Sequence, residues 1–127
     1  MPVQLNHLIV LSRDQAASAA YLARILGLPD PVSTPPFTGV QVTNDITMDF
    51  MSVDREITSQ HYAFLVTEPE FDEVFGRIKA DGQAYWAYPD KSGENEINTR
   101  DGGRGVYFDD PDGHFLEILT RPYGSGS

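Results

Sequence analysis

The chain contains one structural plan written twice, and this duplication constrains its fold more than any other feature. An apolar strand that opens with a histidine occurs at His7 and again at His61. A helical pattern ending at a glycine follows each strand, and Gly27 and Gly82 close the two patterns at almost the same distance from their histidines. Three shorter apolar strands then complete each copy. The sequence therefore predicts two tandem modules, each built as strand, helix and three strands.

The boundaries of the two copies follow from these patterns. We assign module one to residues 1–57, module two to residues 58–122 and a flexible tail to residues 123–127. The connection between the modules is short and charged, which favours paired modules of a single α+β domain over two separate domains. The predicted strands cover residues 3–11, 31–33, 38–43 and 46–52 in the first copy, and residues 60–64, 84–88, 105–108 and 114–120 in the second.

Both helices carry start signals in the sequence. Ser12 is predicted to cap the first helix, with Gln15 completing a capping box, and the helix is expected to end at Gly27. Thr67 and Glu70 form the same pair of signals before the second helix. The repetition of these signals supports the duplicated plan.

Composition excludes several classes of function. The chain of 127 residues is 40% hydrophobic, which is enough for a core, and it has no apolar run of membrane-spanning length. Its start lacks the features of a secretory signal, so we expect a cytoplasmic protein. The formal net charge of −10 disfavours nucleic acid and anionic membranes as partners. Because there is no cysteine, any bound metal must be held by imidazole and carboxylate groups.

Three residues are the candidate metal ligands. His7 and His61 stand at equivalent positions of the two copies, so a pseudo-twofold arrangement would direct both towards one central cavity. Glu117 lies between apolar neighbours in the last strand, where a buried carboxylate needs a cationic partner. A metal ion would provide it, and a salt bridge to Lys or Arg, or an edge position in water, are the alternatives. Imidazole and carboxylate together suit Mn, Fe, Co, Ni or Zn.

Asp49 is the candidate catalytic residue. It occupies the same place in the first copy that Glu117 occupies in the second. If its side chain points inward, it can bind the metal, hydrogen-bond a coordinated water or act as a base. The alternating pattern around it is equally typical of a half-exposed strand.

Further polar and aromatic residues have open interpretations. Residues 89–104 lack periodicity and are either a lid or a solvent loop. Arg104 and Arg121 are candidates for binding an anionic substrate group, with a plain surface position as the alternative. His114 is interpreted as a residue that supports the metal ligands or the fold. Tyr107 is an aromatic residue that can line a pocket or belong to the core.

Three motifs together resemble a known superfamily. Leu5-Asn6-His7-Leu8, Gln60-His61-Tyr62-Ala63-Phe64 and the segment from Asp110 to Glu117 are similar to sequences of the vicinal oxygen chelate superfamily. This superfamily includes glyoxalase I, fosfomycin-resistance transferases, extradiol dioxygenases and bleomycin-resistance proteins. The resemblance spans nearly the whole chain.

The resemblance implies a fold, a ligand set and a function. It implies two βαβββ modules whose sheets form open barrels and which pair in a homodimer around a metal. His7, His61 and Glu117 match the histidine, histidine and glutamate ligands of the fosfomycin transferases and extradiol dioxygenases, and Asp49 falls where glyoxalase I has a glutamate. The implied function is a divalent-metal enzyme, of the lyase, isomerase or dioxygenase type, acting on a small oxygenated metabolite bound through two oxygens. The alternative is a bleomycin-resistance-type protein that binds a small molecule without catalysis.

Overall fold

Two sheets, each accompanied by one helix, make up the computed structural model, which describes residues 2–126. The chain separates into two units, Met1–Thr58 and Ser59–Ser127, close to the predicted module boundary. Met1, at the start of module one, and Ser127, at the end of the predicted tail, lie outside the described residues. Assembly of the modules into one domain stays a prediction.

The first unit contains four strands and one helix. Its elements are β1 (His7–Ser12), α1 (Gln15–Leu26), β2 (Val32–Thr34), β3 (Phe37–Val42) and β4 (Ile46–Ser52). The second unit repeats this order. Its elements are β5 (His61–Leu65), α2 (Glu68–Ala80), β6 (Tyr85–Trp86), β7 (Gly105–Asp109) and β8 (Phe115–Leu119), with a short 3-10 helix at Arg100–Gly102.

The two sheets have the same topology. The strand order is β1-β4-β3-β2 in the first sheet and β5-β8-β7-β6 in the second. In each, the first strand pairs in parallel with the last strand of the unit, and the remaining pairs are antiparallel. The α+β class and the two βαβββ modules are therefore confirmed, and both sheets remain open. The homodimer stays a prediction.

Register makes the duplication more exact than the sequence spacing alone. His7 and His61 begin the parallel strands, and each carboxylate, Asp49 or Glu117, lies two residues beyond the residue that pairs with the histidine. Since side chains two apart on a strand point to the same face, each histidine shares a sheet face with its carboxylate. The structure thus contains two equivalent histidine and carboxylate pairs, one per sheet.

The helix starts agree with the sequence in one copy and differ in the other. The capping box of Thr67 and Glu70 is present at the start of α2. In α1 the predicted cap at Ser12 is wrong, because Asp14 accepts the hydrogen bond from the backbone N–H of Ala17 at 3.1 Å. Ser12 is fully buried and donates its hydroxyl hydrogen to Ser18 at 2.8 Å. The helix ends as predicted at Gly27, whose φ of 69° is left-handed.

The core of each unit lies on the opposite sheet face from the histidine. In the first unit Val10, Val40, Met48 and Phe50 are buried there, together with Leu22 and Ile25 of α1. In the second unit the helix buries Phe71, Val74 and Ile78, and the sheet buries Val106, Phe108, Leu116 and Ile118. None of the helices within residues 2–126 has the length and apolar character needed to cross a bilayer.

Candidate metal centre and cavity

The second sheet brings His61 and Glu117 into direct contact. The Nε2 atom of His61 lies 3.1 Å from Oε1 of Glu117. The imidazole is about half exposed, with 47% of its side-chain surface accessible, whereas the carboxylate is buried with 1% accessible. The pair therefore combines a buried anionic group with an imidazole that solvent and solutes can reach. The predicted burial of Glu117 is confirmed.

The proton on His61 is assigned by its other hydrogen bond. Nδ1 lies 2.9 Å from the backbone carbonyl oxygen of Phe115, and a carbonyl can only accept, so Nδ1 carries a hydrogen. In the neutral ring, Nε2 then has a lone pair aimed at a carboxylate oxygen. Two electron-pair donors at this distance need a proton or a metal ion between them. Fixing one ring nitrogen through a backbone carbonyl is also how proteins orient a metal-binding histidine.

Two tyrosines cover the carboxylate of Glu117. The hydroxyl of Tyr123 donates to Oε2 of Glu117, and the hydroxyls of Tyr107 and Tyr123 lie 2.7 Å apart. Tyr107 also stacks on the ring of His61, with centroids 5.8 Å apart. Burial, and then the hydrogen bond to Glu117, raise the pKa of Tyr123 well above its usual value, so this hydroxyl remains a donor near neutral pH.

The guanidinium of Arg100 lies close to these tyrosines. Desolvation opposes the shift, but the interaction with the hydroxyl groups of Tyr107 and Tyr123 raises the pKa of the Arg100 guanidinium. Its guanidinium carbon also lies 5.4 Å from the centroid of the Tyr123 ring. A positively charged group therefore lies beside the tyrosine that donates to Glu117.

The first sheet presents the equivalent pair on a more open face. His7 is exposed and its Nδ1 lies 2.8 Å from the side-chain oxygen of Asn6, while Asp49 is half-buried. Gly39 pairs with Asp49 across the strands, in the position that Tyr107 occupies beside Glu117. A Cβ on Gly39 would lie 3.0 Å from Oδ1 of Asp49. Because glycine stands there, the space above Asp49 is left free.

A cavity of about 430 Å³ occupies this face of the first unit. Its polar lining consists mainly of Asn6, His7, Asp30, Gln41, Thr47 and Asp49, and Val32 and Phe37 supply apolar surface. The volume lies within the range of about 300–1,000 Å³ found for small-molecule sites. The structure therefore places Asp49 in a cavity rather than on a plain surface.

Comparison with known proteins decides the family. No protein-family model matches the chain. Glutathione transferase FosA from Serratia marcescens is 30% identical over 122 residues, covering 90% of this chain and 78% of that protein. The structure of Oxidase ChaP-H1 is 58% identical with a TM-score of 0.95, covering 97% of this chain and 99% of that chain. The structure of Oxidase ChaP-H2 is 54% identical with a TM-score of 0.97, covering 100% of both.

The chain belongs to the vicinal oxygen chelate superfamily. This result confirms the resemblance drawn from the three sequence motifs, and the relatives support a metalloenzyme of the superfamily.

The donor atoms of the second unit fit the metal expected for a vicinal oxygen chelate protein. An imidazole nitrogen and a buried carboxylate oxygen face each other, and both groups suit a divalent transition metal. Within either unit, the described residues contain no group of three or more His, Cys, Asp or Glu side chains placed to hold an ion. The second unit therefore brings His61 and Glu117 together, and the role of His7, His61 and Glu117 as metal ligands stays a prediction.

The structure also bears on the interpretations of Arg104 and His114. Arg104 is committed to ion pairs with Glu68 and Asp72, at 2.7 and 2.8 Å, so its interpretation as a substrate-binding group loses support. His114 is buried, and its Nδ1 accepts from the backbone N–H of Gln60 at 3.0 Å. It thereby ties the start of β8 to the residue before His61. This is the supporting role that the sequence suggested.

The segment 89–104 is held by specific contacts. Trp86 forms a β-bridge with Glu94, and Asn98 forms one with Gly105. The buried side chain of Asn98 donates to the carbonyl of Ala87 at 2.7 Å. These bonds fix the end of the segment from which Arg100 reaches the tyrosines.

Sequence reasoning missed the residues that surround Glu117. The sequence places Tyr123 in the predicted flexible tail, and Arg100 and Asn98 in a segment without periodicity. The flexibility of the tail stays a prediction, but Tyr123 binds Glu117, and the backbone N–H of Gly124 donates to Asp101 at 3.0 Å. One feature of the sequence does point to Tyr123: it follows β8 by only a few residues, so its side chain can reach back to that strand.

Proposed function

We propose that this protein is a divalent-metal-dependent oxidase that acts on a small oxygenated molecule, bound to the metal through two neighbouring oxygen atoms. His61 and Glu117 would hold the ion, with His7 as the third ligand. The observation that carries the proposal is the opposition of two electron-pair donors, Nε2 of His61 and Oε1 of Glu117, with the imidazole already oriented by the carbonyl of Phe115.

The choice of oxidation rests on similarity over the whole chain. Two proteins named as oxidases are more than half identical to this chain over nearly all of its length, whereas the named transferase is 30% identical. A bound divalent ion supplies a Lewis acid for the substrate oxygens and, in the case of Fe(II), a binding position for dioxygen. In the overall reaction the substrate loses electrons and protons, and dioxygen takes them up.

The remaining roles belong to side chains of the protein. We propose Asp49 as the base that accepts a proton from a substrate hydroxyl, because its carboxylate faces a cavity of sufficient size and is only half-buried. Asn6, Gln41 and Thr47 would orient neutral oxygen atoms of the substrate by hydrogen bonds. The rings of His61 and Tyr107 stack, and they would restrict how water and substrate reach Glu117.

Transfer of a thiol to fosfomycin is the second candidate, favoured by the 30% identical transferase. A phosphonate needs cationic partners. The described residues that line the cavity include Asp30 and Asp49 but neither Lys nor Arg. The side chains of Lys91 and Arg104 are already paired with carboxylates of this chain. These charges support oxidation of a neutral or phenolic substrate over phosphonate binding.

One set of measurements tests the proposal. Tag-free protein should be loaded anaerobically with Fe(II), Mn(II), Co(II), Ni(II) or Zn(II), and its metal content compared with His61→Ala and Glu117→Ala, with exposed Glu56→Ala as the matched control. We expect about one ion per chain in the wild type and in Glu56→Ala, and a loss of 100-fold or more in affinity in the other two variants. A wild type that binds no more metal than His61→Ala would contradict the proposal and favour a binding protein without catalysis.

The loaded protein then separates the reactions. Oxygen consumption with catechol-like and hydroquinone-like compounds tests oxidation, isomerisation of thiol–aldehyde adducts tests glyoxalase chemistry, and loss of thiol with fosfomycin tests transfer. We expect oxygen uptake alone, and uptake should fall in Asp49→Asn while metal content is unchanged. Native mass measurement tests the proposed homodimer.

A further inference from the structure

We propose that Tyr123 is a positioning residue that holds Glu117 as a one-oxygen ligand, with Tyr107 and Arg100 holding Tyr123 in turn. This inference rests on the proposed function, because it concerns how Glu117 would bind the ion. It assigns a role to the end of the chain, which neither the sequence motifs nor the similarity to other proteins assign.

The direction of the hydrogen bonds follows from counting protons. Each tyrosine hydroxyl has one hydrogen to donate. Since Tyr123 donates to Oε2 of Glu117, it must accept in its contact with Tyr107, so Tyr107 is the donor across the 2.7 Å between the hydroxyls. The guanidinium of Arg100 lies 5.4 Å from the centroid of the Tyr123 ring and places a positive charge beside this pair. The two hydrogen bonds therefore run in one direction, from Tyr107 through Tyr123 to Glu117.

The two oxygens of Glu117 are thereby given different tasks. Oε2 receives the hydroxyl hydrogen of Tyr123, and Oε1 faces Nε2 of His61. A carboxylate oxygen that accepts a strong hydrogen bond is a weaker electron donor to an ion. Binding through Oε1 alone would leave one more coordination position for a substrate that attaches through two oxygens.

The position of Tyr123 is itself supported by several contacts. The backbone N–H groups of Gly124 and Gly126 donate to the carboxylate of Asp101 at 3.0 and 3.2 Å. Asp101 follows Arg100 directly, so the same short 3-10 helix contacts both the backbone after Tyr123 and the ring of Tyr123. The guanidinium of Arg100 also lies 5.3 Å from the ring of Tyr88 and 5.4 Å from the ring of Tyr123. These contacts make Tyr123 a fixed donor.

The test compares three conservative substitutions in the full chain. Tyr123→Phe removes the donor to Glu117, Tyr107→Phe removes the donor to Tyr123, and Tyr88→Phe is the matched control because its ring meets Arg100 from outside this chain of hydrogen bonds. Each variant is titrated with Co(II) alone by calorimetry, and the visible absorption of the bound Co(II) reports its coordination. Circular dichroism and thermal unfolding verify that the proteins are folded.

We expect Tyr123→Phe to raise the Kd for Co(II) by about 10- to 100-fold and to alter the absorption band. Tyr107→Phe should change both in the same direction but less, and Tyr88→Phe should match the wild type. A chain that ends at Pro122 gives a second measurement if the phenylalanine variant folds poorly, and it should reproduce the spectral change.

The inference is overturned if folded Tyr123→Phe binds Co(II) with the wild-type Kd and the same spectrum. That result would leave the proposed function intact, since the wild type would still bind the ion. If the wild type binds no Co(II), the proposed function and this inference both fail, so the two failures are distinguishable.

Discussion

Replacing Asn98 by alanine should destabilise the second unit more than any surface change in the same segment. The side chain is only 5% exposed, and its amide donates to the carbonyl oxygen of Ala87, itself a buried residue, at 2.7 Å. Its oxygen accepts from the backbone N–H of Arg100 at 3.3 Å. Alanine leaves the buried carbonyl of Ala87 without this donor, and an unsatisfied buried group costs about 1–3 kcal/mol.

The expected size follows from these two bonds. We expect Asn98→Ala to lower the free energy of unfolding by about 2 kcal/mol and the Tm by about 8 °C for a chain of this length. Urea titration followed by circular dichroism gives the free energy, and differential scanning calorimetry gives the Tm. Thr99→Ala is the matched control, since Thr99 is exposed and makes no capping hydrogen bond with its side chain.

An aspartate at the same position sharpens the test. Asn98→Asp keeps the shape but replaces the amide donor with a carboxylate, so at neutral pH it should destabilise more than alanine does. In acid, the protonated carboxyl can again donate to Ala87, and part of the stability should return. If Asn98→Ala unfolds within about 0.5 kcal/mol of Thr99→Ala, the bond from Asn98 does not hold this segment and the reasoning is refuted.

Three further outcomes are expected. Burial raises the pKa of Asp110 above its usual value, so the ionised carboxylate lowers the stability of the folded protein at neutral pH. Stability should rise as pH falls through the raised pKa of the folded state towards the pKa of the unfolded state. Asp110→Asn should lack this gain when urea midpoints are compared between pH 7 and pH 4. Arg104→Gln should lower the Tm through loss of the pairs with Glu68 and Asp72, and the difference from wild type should shrink in 1 M salt, about 3 Å being the screening length there. Asp14→Ala should cost about 1 kcal/mol by removing the cap of α1, and an unchanged urea midpoint would contradict the capping role.

Local patterns predicted the fold because each module follows strong local rules. The capping box of Thr67 and Glu70 and the terminal glycine Gly27 mark helix ends through bonds that span only a few residues. The exception at Ser12 has a physical reason. The buried hydroxyl of Ser12 donates to Ser18, and Asp14, two residues later, accepts the capping hydrogen bond from Ala17 instead.

The proximity of His61 and Glu117 could be predicted from the sequence for a different reason. A histidine at the start of one strand and a buried acid two residues further along the other become neighbours once the strands pair in parallel from their starts. The contacts of Tyr123 and Arg100 could not be predicted, because they depend on how two irregular segments lie over the sheet. No periodicity marks such segments, and the contacts that fix them are individual side-chain bonds.

Gly39 and Tyr107 occupy the same register position of two sheets with the same topology, and each pairs with the acidic residue of its own sheet. One side chain per sheet therefore determines whether the neighbourhood of that acid is hollow or filled. Position 39 has an ordinary backbone conformation, and only Asp49 and Thr47 crowd an added Cβ. Progressively larger residues at this position offer a way to reduce the volume of the cavity in small steps, while the pair of His61 and Glu117 in the other sheet is left unchanged.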